Sequence, residues 1–264
     1  MVALACFLLF HLTKAYSQNL EVLTPQVKPG GLVVLKIASY QISDEIGISV
    51  FDKIYQPNKD GLVFVGVSLS TEPDSYVIYF VNRFSGERLG HQEEIEIVPT
   101  EIKVRPSGGA ARSSKRRIKE VSEIAASYQK ANQTELYVKD SFSTPLPEIV
   151  ITSDFAIHHG GVDLRATSGT KVSAINSGRV IMTAKKFSLE GNMVILDHGS
   201  GIFSYYMHLS RIQVRNGQML NNGQVVGLSG ATGDAHGPHL HLAVKVNGTN
   251  VDPLAFIDTM NSVF

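Results

Sequence analysis

Seven of the nine histidines in this 264-residue chain fall between His158 and His241. Imidazole is the commonest side-chain metal ligand and the one group whose ordinary titration lies near neutral pH. Two short elements carry most of the clustering. In His159-Gly160-Gly161-Val162-Asp163 the glycines argue against a helix, and residues four apart in an extended segment project to one face. In His239-Leu240-His241-Leu242-Ala243-Val244 strand alternation puts both imidazoles on one face and Leu240, Leu242 and Val244 in a core.

Two imidazoles and a carboxylate, with a fourth position left to water, are the open ligand set of catalytic zinc; structural sites close with four protein ligands. His159, Asp163 and His241 are therefore expected to hold Zn2+. Zinc lowers the pKa of bound water and polarises a carbonyl, effects that suit amide hydrolysis. His239, one strand step from His241, is placed to take or deliver a proton. His208, in Tyr205-Tyr206-Met207-His208-Leu209-Ser210, is placed to stabilise a developing oxyanion. Alternation allows only one of Tyr205 and Tyr206 to face a groove. His158, His198 and His236 fit turn or supporting roles better than ligation. Ser210, Ser229 and Asp234 lack the Gly-x-Ser-x-Gly elbow that presents a serine nucleophile.

The elements that must position these groups are β-type. The runs KVSAI, GRVIMTA, NMVILDH, IFSYYMHL, QVVGLSG and HLHLAVKV, with turns at Asn216-Gly217 and Asn222-Gly223, predict an antiparallel β domain over residues 141–264 with a groove along one sheet and no helix. Residues 18–100 carry GLVVLKIASY, IGISVF, GLVFVGVSL, SYVIYFVNR and EIEIV between Pro, Gly, Asn and Asp turns, which predicts a small immunoglobulin-like β-sandwich. The chain is thus expected to be mainly β. Residues 101–140 read as a linker with one helix over Lys115–Lys130, its apolar positions being Ile118, Val121, Ile124 and Ala125. Its basic cluster, Arg112, Lys115, Arg116, Arg117 and Lys119, reads as a solvated face.

Residues 1–17 read as a signal peptide, with an apolar run from Val2 to Leu12 followed by Ala15 and Ser17. That run is about half the length a membrane-spanning helix needs. The expectation is a periplasmic or secreted protein with no stable membrane span. The only cysteine, Cys6, lies inside this segment, so a metal site in the mature chain has only histidines and carboxylates to draw on. A formal net charge of zero gives no ground for a nucleic-acid partner.

The C-terminal half resembles the lysostaphin/LytM-type zinc metallopeptidases. The resemblance rests on His159 and Asp163, Gly169-Thr170-Lys171-Val172, Gly178-Arg179-Val180, Gly191-Asn192-Met193-Val194, Asp197-His198-Gly199, Tyr206-Met207-His208-Leu209-Ser210, Thr232-Gly233, Gly237-Pro238-His239-Leu240-His241 and Asp252-Pro253. It implies His159, Asp163 and His241 as zinc ligands, and His208 and His239 as catalytic residues. Tyr206, Asn192 and Thr232 are implied as substrate contacts. The implied substrate is a peptide of bacterial peptidoglycan, cut as a cross-link or a stem peptide. A second reading is a non-catalytic or autoinhibited wall-binding or amidase-activator module on the same fold, with the N-terminal region as an intramolecular inhibitor. The family's Phe-Gly-x-Arg-Arg segment is missing, since Ser153-Asp154-Phe155-Ala156-Ile157-His158 runs straight into His159.

Overall fold

The computed structural model describes residues 19–38, 45–105 and 114–264. The expected signal peptide and Arg112 lie outside the described residues. Among those described, no helix is long and apolar enough to cross a membrane.

The front of the chain contributes β1 (Leu20–Val22), β2 (Gln26–Val27), β3 (Leu32–Ile37), β4 (Ile46–Val50), β5 (Lys53–Tyr55), β6 (Leu62–Gly66), β7 (Ser75–Asn82) and β8 (Arg88–Ile97). They form one sheet in the order β1-β3-β6 and a second in the order β2-β8-β7-β4-β5. The ladders are antiparallel except for the short pairing of β2 with β8. Val33, Leu35 and Ile37 of β3 and Val63 and Val65 of β6 pack with Ile48, Ile78 and Ile95 of the other sheet. The alternate residues Leu32, Val34, Leu62 and Phe64 join the core of the C-terminal half instead. Burial on both faces explains why β3 and β6 read as unbroken apolar runs rather than alternating ones. The front sandwich therefore shares a sheet with the domain behind it.

Between the two lies α1 (Lys115–Ser127), which continues into a 3-10 turn at Tyr128–Lys130. Ser114 caps it by accepting from the Arg117 amide at 3.1 Å. The expectation of a solvated basic face fails at Arg117, whose side chain is 13% exposed, while Arg116 stays 65% exposed. Arg117 forms two bonds to Glu190, at 2.6 and 2.7 Å, and Arg116 donates to Glu120 at 2.9 Å and to the Lys186 carbonyl. Glu120 is buried and also accepts from the amide and hydroxyl of Ser188. The helix docks through charge because the loop below presents Ser188 and Glu190; Ile118 and Val121 stay 62% and 48% exposed.

The C-terminal half adds β9 (Ile151–Ser153), β10 (Val162–Arg165), β11 (Lys171–Ser173), β12 (Gly178–Phe187), β13 (Gly191–Gly199), β14 (Ile202–Met207), β15 (Arg211–Ile212), β16 (Met219–Leu220), β17 (Val225–Leu228), β18 (His239–Val246) and β19 (Thr249–Val251). The main sheet runs β16-β12-β13-β14-β18-β10-β9, with β19 also on β18, and β11-β17-β15 form a small second sheet. All of their ladders are antiparallel. Leu164, Val194, Leu196, Tyr206, Leu240, Leu242 and Val244 fill the inner core. On the outer face Met193, Ile195, Phe203, Tyr205 and Ala243 cluster under Ile124, Tyr128 and Ala131.

One element contradicts the all-strand expectation for residues 141–264. Pro253–Val263 is a helix, α2, whose Phe256, Ile257 and Met260 close the inner core. Asp252 caps it by accepting from the amides of Leu254 and Ala255, with Pro253 in the first turn. The Asp-Pro pair is a helix-start signal as well as part of the family motif.

Candidate metal and peptidase site

The central strand pair sets the geometry. β10 and β18 are antiparallel with Asp163 opposite His241 and Arg165 opposite His239, and β14 places Met207 opposite His241 on the other side. Asp163 and His241 thus stand side by side on the outer face. His159 reaches them from a turn, not by strand alternation: Gly160 has φ +73, and the His159 and Gly160 amides both donate to the Ala156 carbonyl. Gly161 lets the turn lie against β18, since a Cβ there would sit 2.4 Å from the Leu242 carbonyl oxygen.

Asp163 Oδ1 is the meeting point. It lies 2.8 Å from His241 Nδ1, 3.0 Å from His159 Nε2 and 3.5 Å from His239 Nε2. The donor atoms of His159, Asp163 and His241 all fall within 4.8 Å of one another. Burial opposes ionisation of Asp163, but hydrogen bonds and charge from His159 and His241 outweigh it and hold the carboxyl well below the usual carboxylate range. Two imidazoles and a carboxylate with such spacing suit a divalent cation of the zinc class.

Three of the four imidazoles are held by their Nδ1. His159 Nδ1 lies 2.8 Å from the Asp154 carbonyl, His208 Nδ1 2.8 Å from that of Thr232, and His239 Nδ1 2.9 Å from that of Gly237. A carbonyl can only accept, so each Nδ1 carries the proton and each Nε2 is left toward the site. His208 follows Met207 at the end of β14, and its φ of +59 ends the strand alternation that would turn it to the opposite face. Its ring then lies 4.7 Å from that of His239, centre to centre. Such backbone persists only when neighbours over-determine it; here the His208 amide donates to the Glu190 carbonyl at 2.9 Å. Burial pushes the His208 imidazole down to about 4, against the Thr232 hydrogen bond that raises it, and the His241 and His239 charges add to the depression.

The remaining expected contacts separate sharply. Tyr206 is fully buried, and its hydroxyl accepts from the Ile175 amide at 2.9 Å and from Ser204 at 3.0 Å. It belongs to the core, while Tyr205 lines the groove. Asn192 donates to the Leu209 carbonyl, and Thr232 receives the Asn192 amide and donates to the same carbonyl. Both brace the loops beneath His208 and neither lines the groove. Ser229 spends its hydroxyl on the Thr167 carbonyl and Ser210 on that of Ser229, so neither is presented as a nucleophile. His158 and His236 line the groove; His198 is buried between the Ser177 carbonyl and the Ser204 hydroxyl, each 2.8 Å away.

The groove itself, a cavity of about 1250 Å³, runs from these histidines past Met193, Met207 and Ala243 to Lys245, with Val121, Ile124 and Tyr128 in its wall. Arg105 enters from the segment that follows the front sandwich. Its guanidinium lies 3.5 Å from Asp163 Oδ2 and donates to Ser153 at 2.8 Å. Sequence reasoning missed Arg105, Tyr128 and Lys245, because the first two lie outside the histidine-rich stretch and the third shows only as the next same-face residue after Ala243.

Residues 157–253 match the model of peptidase family M23. That stretch is an M23 peptidase domain. The M23 domain is 41% identical over 96 residues to the peptidoglycan DD-endopeptidase ShyA of Vibrio cholerae, covering 36% of this chain and 22% of that protein. It is 38% identical over 104 residues to lysostaphin of Staphylococcus simulans, covering 38% and 21%. The match therefore spans about a fifth of the length of these curated relatives. A crystal structure of a Pseudomonas aeruginosa protein ascribed to peptidase M23 covers 90% of this chain and 97% of its own, at 28% identity and a TM-score of 0.67. That likeness extends through the front sandwich as well as the M23 domain.

Proposed function

We propose that the M23 domain is a zinc-dependent endopeptidase that hydrolyses peptide bonds of bacterial peptidoglycan, with His159, Asp163 and His241 as metal ligands. The observation that carries this reading is the convergence of His159 Nε2, Asp163 Oδ1 and His241 Nδ1. The names of the relatives, a peptidoglycan endopeptidase and lysostaphin, support the wall peptide as substrate. Action on the wall in turn supports a periplasmic or secreted location.

Zinc, when bound, supplies a Lewis acid for a carbonyl oxygen and acidifies water. The chain supplies the proton acceptors and the geometry. With Nδ1–H fixed on a backbone carbonyl, His239 and His208 both present a bare Nε2 to the groove, the form of imidazole that accepts a proton from attacking water. His239 is assigned that role, since its Nε2 lies 3.5 Å from Asp163 Oδ1, and it later returns the proton to the leaving amine. His208, neutral and bare at Nε2, orients the water by accepting from it. The expectation that His208 donates to an oxyanion gives way to this one, because a neutral ring whose proton is committed to Thr232 has none to offer.

The reading is tested by incubating the full chain with cross-linked muropeptides and following products by mass. Cleavage lost with a chelator, restored by zinc and abolished in His239→Ala supports it; intact muropeptides in the presence of zinc oppose it.

Partial self-inhibition is a second reading, favoured by the position of α1. Val121, Ile124 and Tyr128 stand in the groove wall and narrow the space left for an extended peptide. The N-terminal side chain that ion-pairs with Asp163 is Arg105, a cation with no lone pair to lend a metal, so inhibition here acts by covering the groove rather than by ligating zinc. Val121→Ala, which trims an exposed α1 side chain from the groove wall and leaves the Arg117–Glu190 pair intact, tests it: faster cleavage supports inhibition, unchanged or slower cleavage opposes it.

A further inference from the structure

The outward residues of β18 form a stripe: His239, His241, Ala243 and Lys245. Four residues at about 3.4 Å each put the Lys245 backbone roughly 14 Å along the strand from His241. Its side chain is partly buried at the far end of the groove, where the ammonium lies 5.8 Å from the Tyr128 ring centre and 5.9 Å from that of Tyr205. The two tyrosine hydroxyls are hydrogen-bonded to each other. Lys245 also lines a second cavity of about 670 Å³, shared with Tyr128, Phe203 and Lys53. Among the described residues no carboxylate lies within ion-pair distance of it.

A cation taken partly out of water is costly without an opposite charge. Two aromatic faces near 6 Å return only part of that cost. The other groove cations are differently placed: Arg117 is saturated by Glu190 and Arg105 faces Asp163. The lack of an anion at Lys245 is consistent with burial lowering its pKa.

We propose that Lys245, with its ammonium over the Tyr128 and Tyr205 rings, is a subsite for a carboxylate of an extended peptide, about four residues along the groove from the site of cleavage. Lys245 supplies the charge, and the two tyrosine rings, tied together through their hydroxyls, hold the ammonium in place. Tyr128 comes from the turn after α1, outside the matched family stretch, so the subsite is assembled by the two halves of the chain together. The proposal rests on the endopeptidase reading only for what lies in the groove.

The test uses two probes: cross-linked muropeptides with free carboxylates, and the same muropeptides with carboxylates converted to amides. Binding is measured calorimetrically on the full zinc-loaded chain carrying His239→Ala, alone and with Lys245→Met or Lys245→Arg added. The expected result is that the free-acid form binds about tenfold more tightly than the amide, that Lys245→Met reduces this ratio to about one, and that Lys245→Arg retains most of it. An unchanged ratio in Lys245→Met overturns the subsite and leaves the endopeptidase reading standing. Lys245-dependent binding by a chain whose unmodified form cleaves neither probe supports the subsite and overturns the endopeptidase. Failure of both probes to bind overturns both.

Discussion

Arg117 grips Glu190 through both terminal guanidinium nitrogens, at 2.6 and 2.7 Å, and the Glu190 carbonyl accepts the amide of His208 at 2.9 Å. A helix outside the matched family stretch thereby braces the residue that holds His208 in its left-handed conformation. Arg117 and Glu190 side chains are 13% and 10% exposed, so removing one charge strands the other. Arg117→Leu is expected to lower stability by about 2–3 kcal/mol and to reduce kcat roughly tenfold through misplacement of His208. Chemical unfolding and steady-state kinetics check both, with zinc content measured alongside; normal kcat in a destabilised variant would separate Arg117 from the site.

Tyr206 and Tyr205 provide a direct contrast. Tyr206→Phe removes an acceptor from the Ile175 amide and Ser204 in a dry core and is expected to cost about 1–3 kcal/mol of stability with KM unchanged. Tyr205→Phe removes the hydroxyl bonded to Tyr128 in the groove wall and is expected to raise KM as well as to cost some stability. Denaturation midpoints and KM values for the pair decide it; a KM change confined to Tyr206→Phe would return that residue to the substrate.

Gly161 presses on β18. Gly161→Ala places a methyl against the Leu242 carbonyl and 2.7 Å from His241 Nε2, so the turn carrying His159 must move. Zinc affinity, read by competition with a chelating dye, is expected to fall about 10- to 100-fold, the range seen when groups supporting metal ligands are disturbed. Unaltered affinity would show that the turn has room to spare.

His198 gives the pH dependence. Burial pushes its imidazole from the ordinary 6.5 to about 4, against the Ser177 hydrogen bond. The unfolded chain therefore takes up a proton near pH 6.5 that the folded chain refuses until about 4. Its neutral, buried state carries no penalty above pH 6.5, and stability is lost as pH falls from there to about 4, by at most about 3 kcal/mol. Urea unfolding of the metal-free protein at pH 7.5 and 5 is expected to show a steeper loss in the parent than in His198→Gln; parallel losses would contradict it.

The strand runs, the groove along one sheet and the His-Leu-His stripe were legible because they rest on period-two alternation, a local property, whereas the strand order was not read. His159, Asp163 and His241 were legible as residue types, though the reason given for the first pair was wrong: a turn at Gly160, not extended chain, brings them together. α2 was hidden because its apolar content matches a core strand and its capping pair was spent on a motif. Tyr206 was misassigned because alternation shows that Tyr205 and Tyr206 oppose each other and not which one faces inward; the row Asp163, His241, Met207 decides that. Arg105, Arg117 and Lys245 act across separations in sequence, and their charges look like solvated surface until the loops that pair with them, or fail to, are in place.

Anomalous scattering at the zinc edge from crystals of the full chain grown with zinc tests the central claim most directly. The predicted result is a single strong peak bounded by His159 Nε2, Asp163 Oδ1 and His241 Nδ1, lost in Asp163→Ala. A zinc-loaded crystal with no peak among those three atoms, or with its zinc held by His208 and His239 instead, would contradict the account.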